Sequence, residues 1–230
     1  MYTKILKKKI IHSIILARGG SKGIKNKNLM LFKKRPLIYW SIIKSLNSKK
    51  INYTWVSSDS KKILKVAKKY GAKTILRPKI YSDDFSSSES AWKHAINYIS
   101  KKKIVIDTVV GIQPTSPIRN NQDFDNALKI FKNAKLDSLF SANITNDTNI
   151  WHYKKKKLIS NYNFKKRKMR QQINKSFLEN GSFYIFDKKK FLQNNCRLFG
   201  KIGIYLMKKI CSFQIDDFED VEIVKIIFKK

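Results

Sequence analysis

The chain is poor in the residues that staple or interrupt a fold. Two cysteines, four prolines and eight glycines are spread over 230 residues. Cys196 and Cys211 stand without C-x-x-C spacing or a cluster of histidines, which excludes a disulfide framework and a zinc ribbon and points to a reduced, cytoplasmic setting. The three histidines, His12, His94 and His152, are scattered. They form no triad or zinc pattern and read as structural or surface residues. No apolar run approaches the ~18 residues that cross a bilayer, so a soluble protein without membrane contact is expected. The Ile-rich stretch Ile10–Leu16 reads as a buried strand, not a signal core.

Acidic residues are also scarce, 16 against 50 basic ones, for a formal net charge of +34. Such a charge first suggests nucleic acid, whose phosphates release counterions to clustered Lys and Arg. Only seven of the basic residues are Arg, however, and the lysines occupy the polar positions of ordinary amphipathic patterns, alongside abundant Ile and Asn. A drift toward A- and T-rich codons explains that make-up. A nucleic-acid specialist would concentrate Arg and aromatics on one face. Nucleic acid is therefore not expected as a partner, although the charge can still steer small anions.

What is present is a rhythm of short apolar runs alternating with helical periodicity. The spacing predicts a strand over Ile10–Leu16, a helix over Leu37–Leu46, a strand over Tyr53–Ser57, a helix over Lys61–Tyr70 ended by Gly71, and a strand over Lys73–Leu76. Ser86 and Glu89 read as a capping box ahead of a helix over Ser90–Ile99, and Thr108–Ile112 as the next strand. Repeated β-α-β units give a right-handed, mainly parallel sheet with helical crossovers. Composition changes near Trp151, and about 151–178 reads as an aromatic, basic insertion, either a solvated loop or an arm that meets a partner. Beyond it the pattern gives strands at Ser182–Phe186, Ile202–Met207 and Cys211–Ile215, and a closing helix over Val221–Phe228.

The most telling segment is Ile14–Asn28, IILARGGSKGIKNKN, where an apolar strand enters a loop with Gly19, Gly20, Gly23 and the cations Arg18, Lys22, Lys25 and Lys27. Glycines let backbone N–H groups converge on one anion while the side chains supply charge. The spacing satisfies neither the Walker loop nor the dinucleotide fingerprint, and a solvated connection stays open as the plain alternative. A lysine in such a loop is expected to bury little. Arg77-Pro78 follows a strand and leads into a Ser/Asp-rich run. Gln113-Pro-Thr-Ser-Pro117 ends a very apolar strand, and its two prolines fix a rigid turn at the carboxyl end of the sheet, where α/β sheets bind ligands. Asp216, Asp217, Glu219 and Asp220 sit before the last helix, where strand-end carboxylates hold Mg²⁺ or cap the helix; their concentration favours the metal. A phosphate loop, polar strand ends and a late carboxylate site together describe a nucleotidyltransferase.

In order and spacing these motifs resemble the acylneuraminate cytidylyltransferase family over essentially the whole chain: ARGGSKGIKNKN, SSDS at 57–60, LRP at 76–78, QPTSPIR at 113–119, ENGSFYIF at 179–186 and IDDFED at 215–220. The resemblance implies an α/β, Rossmann-like nucleotidyltransferase sandwich with a mainly parallel central sheet, in a single domain over 1–230 with a small inserted dimerisation arm. It implies Mg²⁺ dependence, CTP as donor and a nonulosonic, sialic-type acid as acceptor. Arg18, Lys22 and Lys27 would hold the triphosphate, with Gly19, Gly20, Ser21 and Asn28 around it. Arg77 and Ser87 would meet the cytidine end, Gln113, Arg170 and Gln171 the acceptor, and Asp216 the metal. The family pattern further implies a homodimer whose arm reaches the neighbouring site. Lys25 departs from the pattern, where proline is usual, as do Gln172, in place of an acid, and Gln214, in place of a first metal carboxylate. An eight-carbon acid acceptor, as in the related CMP-Kdo synthetases, and a non-enzymatic nucleic-acid-binding protein are the competing readings.

Overall fold

The computed structural model describes residues 9–20, 23–145 and 149–229. Seven strands form the central sheet: β1 (Ile11–Leu16), β4 (Tyr53–Ser58), β5 (Lys73–Leu76), β6 (Thr108–Ile112), β7 (Ser138–Thr145), β10 (Ser176–Asp187) and β11 (Ile202–Leu206). Two short pairs stand apart, β2 (Leu31–Phe32) with β3 (Arg35–Pro36), and β8 (Trp151–Lys154) with β9 (Lys157–Ser160). Spatial order in the sheet is β11-β7-β10-β6-β1-β4-β5. Strand β10 alone runs against its neighbours, and every other pairing is parallel. The mainly parallel sheet expected from the β-α-β rhythm is therefore what forms.

Period-two alternation makes this sheet two-faced, because successive side chains point to opposite sides. Ile14, Trp55 and Val109 pack beneath α3 (Ser88–Lys101) and α5 (Lys188–Asn194), around Trp92, Ile96 and Phe191. Their chain neighbours Ile15, Val56 and Val110 face α1 (Leu37–Leu46), α2 (Lys61–Lys69) and α4 (Asp123–Asn133). The result is a three-layer sandwich. A third, smaller cluster joins Ile24 and Phe32 of the segment after β1 to Ile215, Val221 and Val224 around α6 (Phe218–Lys229). No helix among the described residues is long and apolar enough to cross a membrane.

Several expectations shift. The pattern at Ser182–Phe186 extends back to Ser176, so the insertion rejoins the sheet as part of a twelve-residue strand. Cys211–Ile215 is no strand; a one-turn helix, Lys209–Ser212, precedes an extended stretch held by the bond from Ile215 N–H to the Thr115 carbonyl. Ser87, not Ser86, caps α3, its Oγ accepting from Ser90 N–H at 3.1 Å. Ser86 is committed elsewhere, donating to the Ile80 carbonyl and to Asp83.

His12 is structural, as expected. It is fully buried in β1, and Nδ1 accepts from Trp55 Nε1 at 3.1 Å. Burial drives its pKa from 6.5 down to about 4, against a smaller opposing effect of the Val105 carbonyl. Between those two values the unfolded chain takes up a proton that the native state refuses. The contribution is complete above pH 6.5 and falls away as pH drops toward 4, by about 3 kcal/mol in all. Urea midpoints measured from about pH 7 to about pH 4 should show this loss. His12→Asn should flatten it; an unchanged slope in the variant would remove His12 as its source.

Candidate active site

The chain winds outward from β1 through β4 to β5, then returns to the other side of β1 as β6. Reversal of strand order opens a crevice at the carboxyl ends of the strands. A cleft of about 490 Å³ lies there, and Arg18, Lys27, Asn28, Arg77, Ser87 and Gln113 all line it. Gly23, Gln214 and Asp216 complete its rim. Seven of the thirteen residues given a site role by the resemblance thus meet at one place, although they span nearly 200 positions.

The loop after β1 is braced from within. Arg18 Nη1 donates to Asp84 Oδ1 at 2.9 Å, Gly19 N–H to Asp59 Oδ1 at 2.8 Å, and Asn28 Nδ2 back to the Arg18 carbonyl at 3.0 Å. Gly20 is exposed and does not line the cleft. Ser21 and Lys22 lie outside the described residues. At Gly23 a Cβ would sit 2.4 Å from the Asp216 carbonyl oxygen, so only glycine lets the loop pass the segment before α6. Lys27 corrects the expectation of an exposed loop lysine: it is 8% exposed, and Nζ donates to the Ile215 carbonyl and to Asp216 Oδ1. Its stem is buried and its charge is presented at the cleft edge.

Across the cleft Arg77 is almost wholly buried, its N–H bonded to the Ser58 carbonyl and Nε donating to Ser82 Oγ at 2.9 Å. Burial lowers its pKa, and the Asp59 carboxylate opposes that. Asp59 therefore serves two elements at once, orienting Gly19 and balancing Arg77. Neither Asp59 nor Asp84 was singled out in the sequence, although both lie in stretches that attracted attention, SSDS and the Ser/Asp-rich run.

A further unsuspected residue is Arg119, at the end of QPTSPIR. It is buried with Nε on Ser182 Oγ (2.8 Å), Nη1 on Ser41 Oγ (2.9 Å), and Nη2 on the carbonyls of Gln113 and Ser182 (both 2.7 Å). Burial pushes its pKa down to about 9, with Asp123 the main opposing influence. One guanidinium fork thereby ties the end of β6, the bend in β10 and helix α1 together.

The acidic cluster divides by task. Asp217 Oδ1 accepts from Asp220 N–H at 2.9 Å, and Asp220 Oδ2 accepts from Asp216 and Asp217 N–H at 2.8 and 3.1 Å, a reciprocal cap on α6. Only Asp216 turns to the cleft, its side chain 72% exposed and one oxygen on Lys27. Among the described residues no three His, Cys, Asp or Glu converge as a metal cage. A single carboxylate fits Mg²⁺ that keeps waters and takes phosphate oxygens as its other ligands.

Arg170 and Gln171 belong to a one-turn helix, Arg170–Gln172, on the insertion. Gln171 is exposed and does not line this cleft, and the Arg170 side chain lies outside the described atoms. The cleft itself has two unlike walls. Arg18, Lys27 and Arg77 present cationic groups, while Gln113 and Gln214 offer uncharged donors and acceptors.

A family described as cytidylyltransferase matches residues 12–226. A pseudaminic acid cytidylyltransferase of Campylobacter jejuni is 31% identical over 228 residues, spanning 94% of this chain and 95% of that protein. N-acylneuraminate cytidylyltransferase A of Danio rerio is 35% identical over 214 residues, 91% of this chain and 49% of that protein. A solved structure of CMP:2-keto-3-deoxy-manno-octonic acid synthetase with CTP shares the fold, with a TM-score of 0.72 at 14% identity over 96% of this chain and 99% of that one.

Proposed function

The chain belongs to the cytidylyltransferase family, and from that premise we propose that it transfers CMP from CTP to a hydroxyl of a nonulosonic, sialic-type acid. The observation that supports this most is the single cleft with a cationic and an amide wall at the sheet's switch point. The acceptor hydroxyl releases its proton to solvent as its oxygen attacks the α-phosphorus, the bond from that phosphorus to the bridging oxygen breaks, and pyrophosphate leaves with the electron pair. Negative charge grows on the departing phosphates. Arg18, Lys22 and Lys27 hold the triphosphate, with Gly19, Gly20, Ser21 and Asn28 shaping the loop, so positive charge is in place before the reaction needs it.

Arg77 and the start of α3 at Ser87 take the cytidine end. Mg²⁺, held by Asp216 and bound phosphates, would neutralise the triphosphate. Gln113 orients the acceptor. Residues 151–178 form a homodimer arm: Tyr153, Leu158 and Met169 expose apolar surface there, 77%, 50% and 66% respectively, and such a patch suits a protein partner. Arg170 and Gln171 on that arm then reach the partner's cleft. The reaction belongs in the cytoplasm, where CTP is made, and needs no nucleic acid.

An acceptor panel tests the reading. Purified protein with CTP and Mg²⁺ should release pyrophosphate with at least one of N-acetylneuraminate, legionaminate and pseudaminate. Folded protein that is silent on all three would sink the proposal, and a preference for the eight-carbon acid Kdo would replace it with the CMP-Kdo reaction.

A further inference from the structure

Gln214 has no counterpart in a simple account of the cleft: it carries no charge for phosphate and is a weak ligand for Mg²⁺. Its neighbours suggest another role. Strand β10 shifts register between Glu179 and Tyr184, and at the bend Gly181 adopts φ +62°. A Cβ built on Gly181 would lie 2.9 Å from Gln113 Oε1, 2.9 Å from Gln214 Oε1 and 3.0 Å from Gln214 Nε2. Two amides from distant parts of the chain thus converge over one point, and only a glycine beneath them leaves room. Both are half-buried at the cleft wall, and among the described residues neither side chain has a hydrogen-bond partner.

Sheet order decides which ligand they meet. Arg77 follows β5, on the side of β1 that carries β4 and β5, whereas Gln113 follows β6 and Gly181 belongs to β10, both on the other side. The amide pair over Gly181 therefore lies across β1 from Arg77. Two primary amides present four N–H donors and two carbonyl acceptors, which matches the mixed hydroxyl and carboxylate edge of a sugar acid. We infer that Gln214 is a specificity-determining contact for the acceptor, paired with Gln113 over Gly181, and is not a metal ligand.

This rests on the cytidylyl-transfer reading above, and the test separates the two. Steady-state kinetics of wild type, Gln214→Ala, Gln214→Glu and Gly181→Ala are measured against acceptor, CTP and Mg²⁺ in turn, with CTP affinity read separately by calorimetry. Gln214→Ala should raise the acceptor KM about tenfold, the effect of one lost substrate hydrogen bond, with CTP affinity, Mg²⁺ midpoint and melting temperature unchanged. Gln214→Glu keeps the shape, removes the donors and adds charge against the acceptor carboxylate, so it should be worse than alanine. Gly181→Ala should reproduce the acceptor defect by displacing both amides. A raised Mg²⁺ midpoint in Gln214→Ala, or a gain of activity in Gln214→Glu, would overturn the inference in favour of metal binding. An unchanged acceptor KM in an active background overturns it alone, whereas a wild type that turns over no sugar acid overturns the reaction and the inference together.

Discussion

Lys27→Met should lower kcat about a hundredfold, the cost of removing one preorganised donor from developing negative charge, while the protein remains folded. Methionine is the informative replacement because the lysine stem is buried and an alanine would open a cavity beneath the loop. The fold does lose the bond from Nζ to the Ile215 carbonyl, about 1 kcal/mol, so a small drop in urea midpoint accompanies the kinetic defect. The two readouts divide the roles of this side chain. A lowered midpoint with unchanged kcat would make Lys27 a strut between the β1 loop and the α6 approach, and would remove it from the reaction.

Arg119→Ala has the largest expected effect on stability, about 3–5 kcal/mol, because it strands two carbonyls and two hydroxyls in a dry interior and leaves a cavity where the guanidinium lay. That is a large share of the total stability of a domain. Arg119→Lys recovers only part of it, since one ammonium cannot reach Ser41, Ser182 and Gln113 together. Equilibrium urea unfolding measures both variants. A loss below about 1 kcal/mol for alanine would mean that water satisfies these groups and that the fork is dispensable.

The layers of the sandwich were legible where local pattern and burial agree. Val109, Val110 and Ile112 form a continuous apolar run because β6 is covered on both faces, and the spacing in Leu37–Leu46 matches the observed helix end to end. Strand β7 gave no comparable signal because Ser138, Ser141 and Asn143 interrupt its apolar residues. Those serines are buried polar groups with partners far away in sequence, Ser138 with Phe199 and Ser141 with Asn180 and Phe183. Asn180-Gly181 has the composition of a turn; here it bends one continuous strand, held by Asn180 Oδ1 accepting from Ser182 N–H. In the site, motifs identified the residues that line the cleft. They did not reveal Asp59, Asp84 or Arg119 as organisers, since each acts on groups dozens of positions away.

With Arg18 and Lys27 in the proposed triphosphate role, their pairing with Asp84 and Asp216 would make nucleotide entry an exchange, not an addition. Phosphate would then displace carboxylates already resting on those cations, so much of the attraction would be offset by pairs given up. Affinity for CTP then depends less on ionic strength than a net charge of +34 suggests. The same carboxylates would be at hand as pyrophosphate departs, offering the cations a replacement anion when the product lets go. A site that keeps its own counterions close at hand trades tightness of grip for ease of turnover.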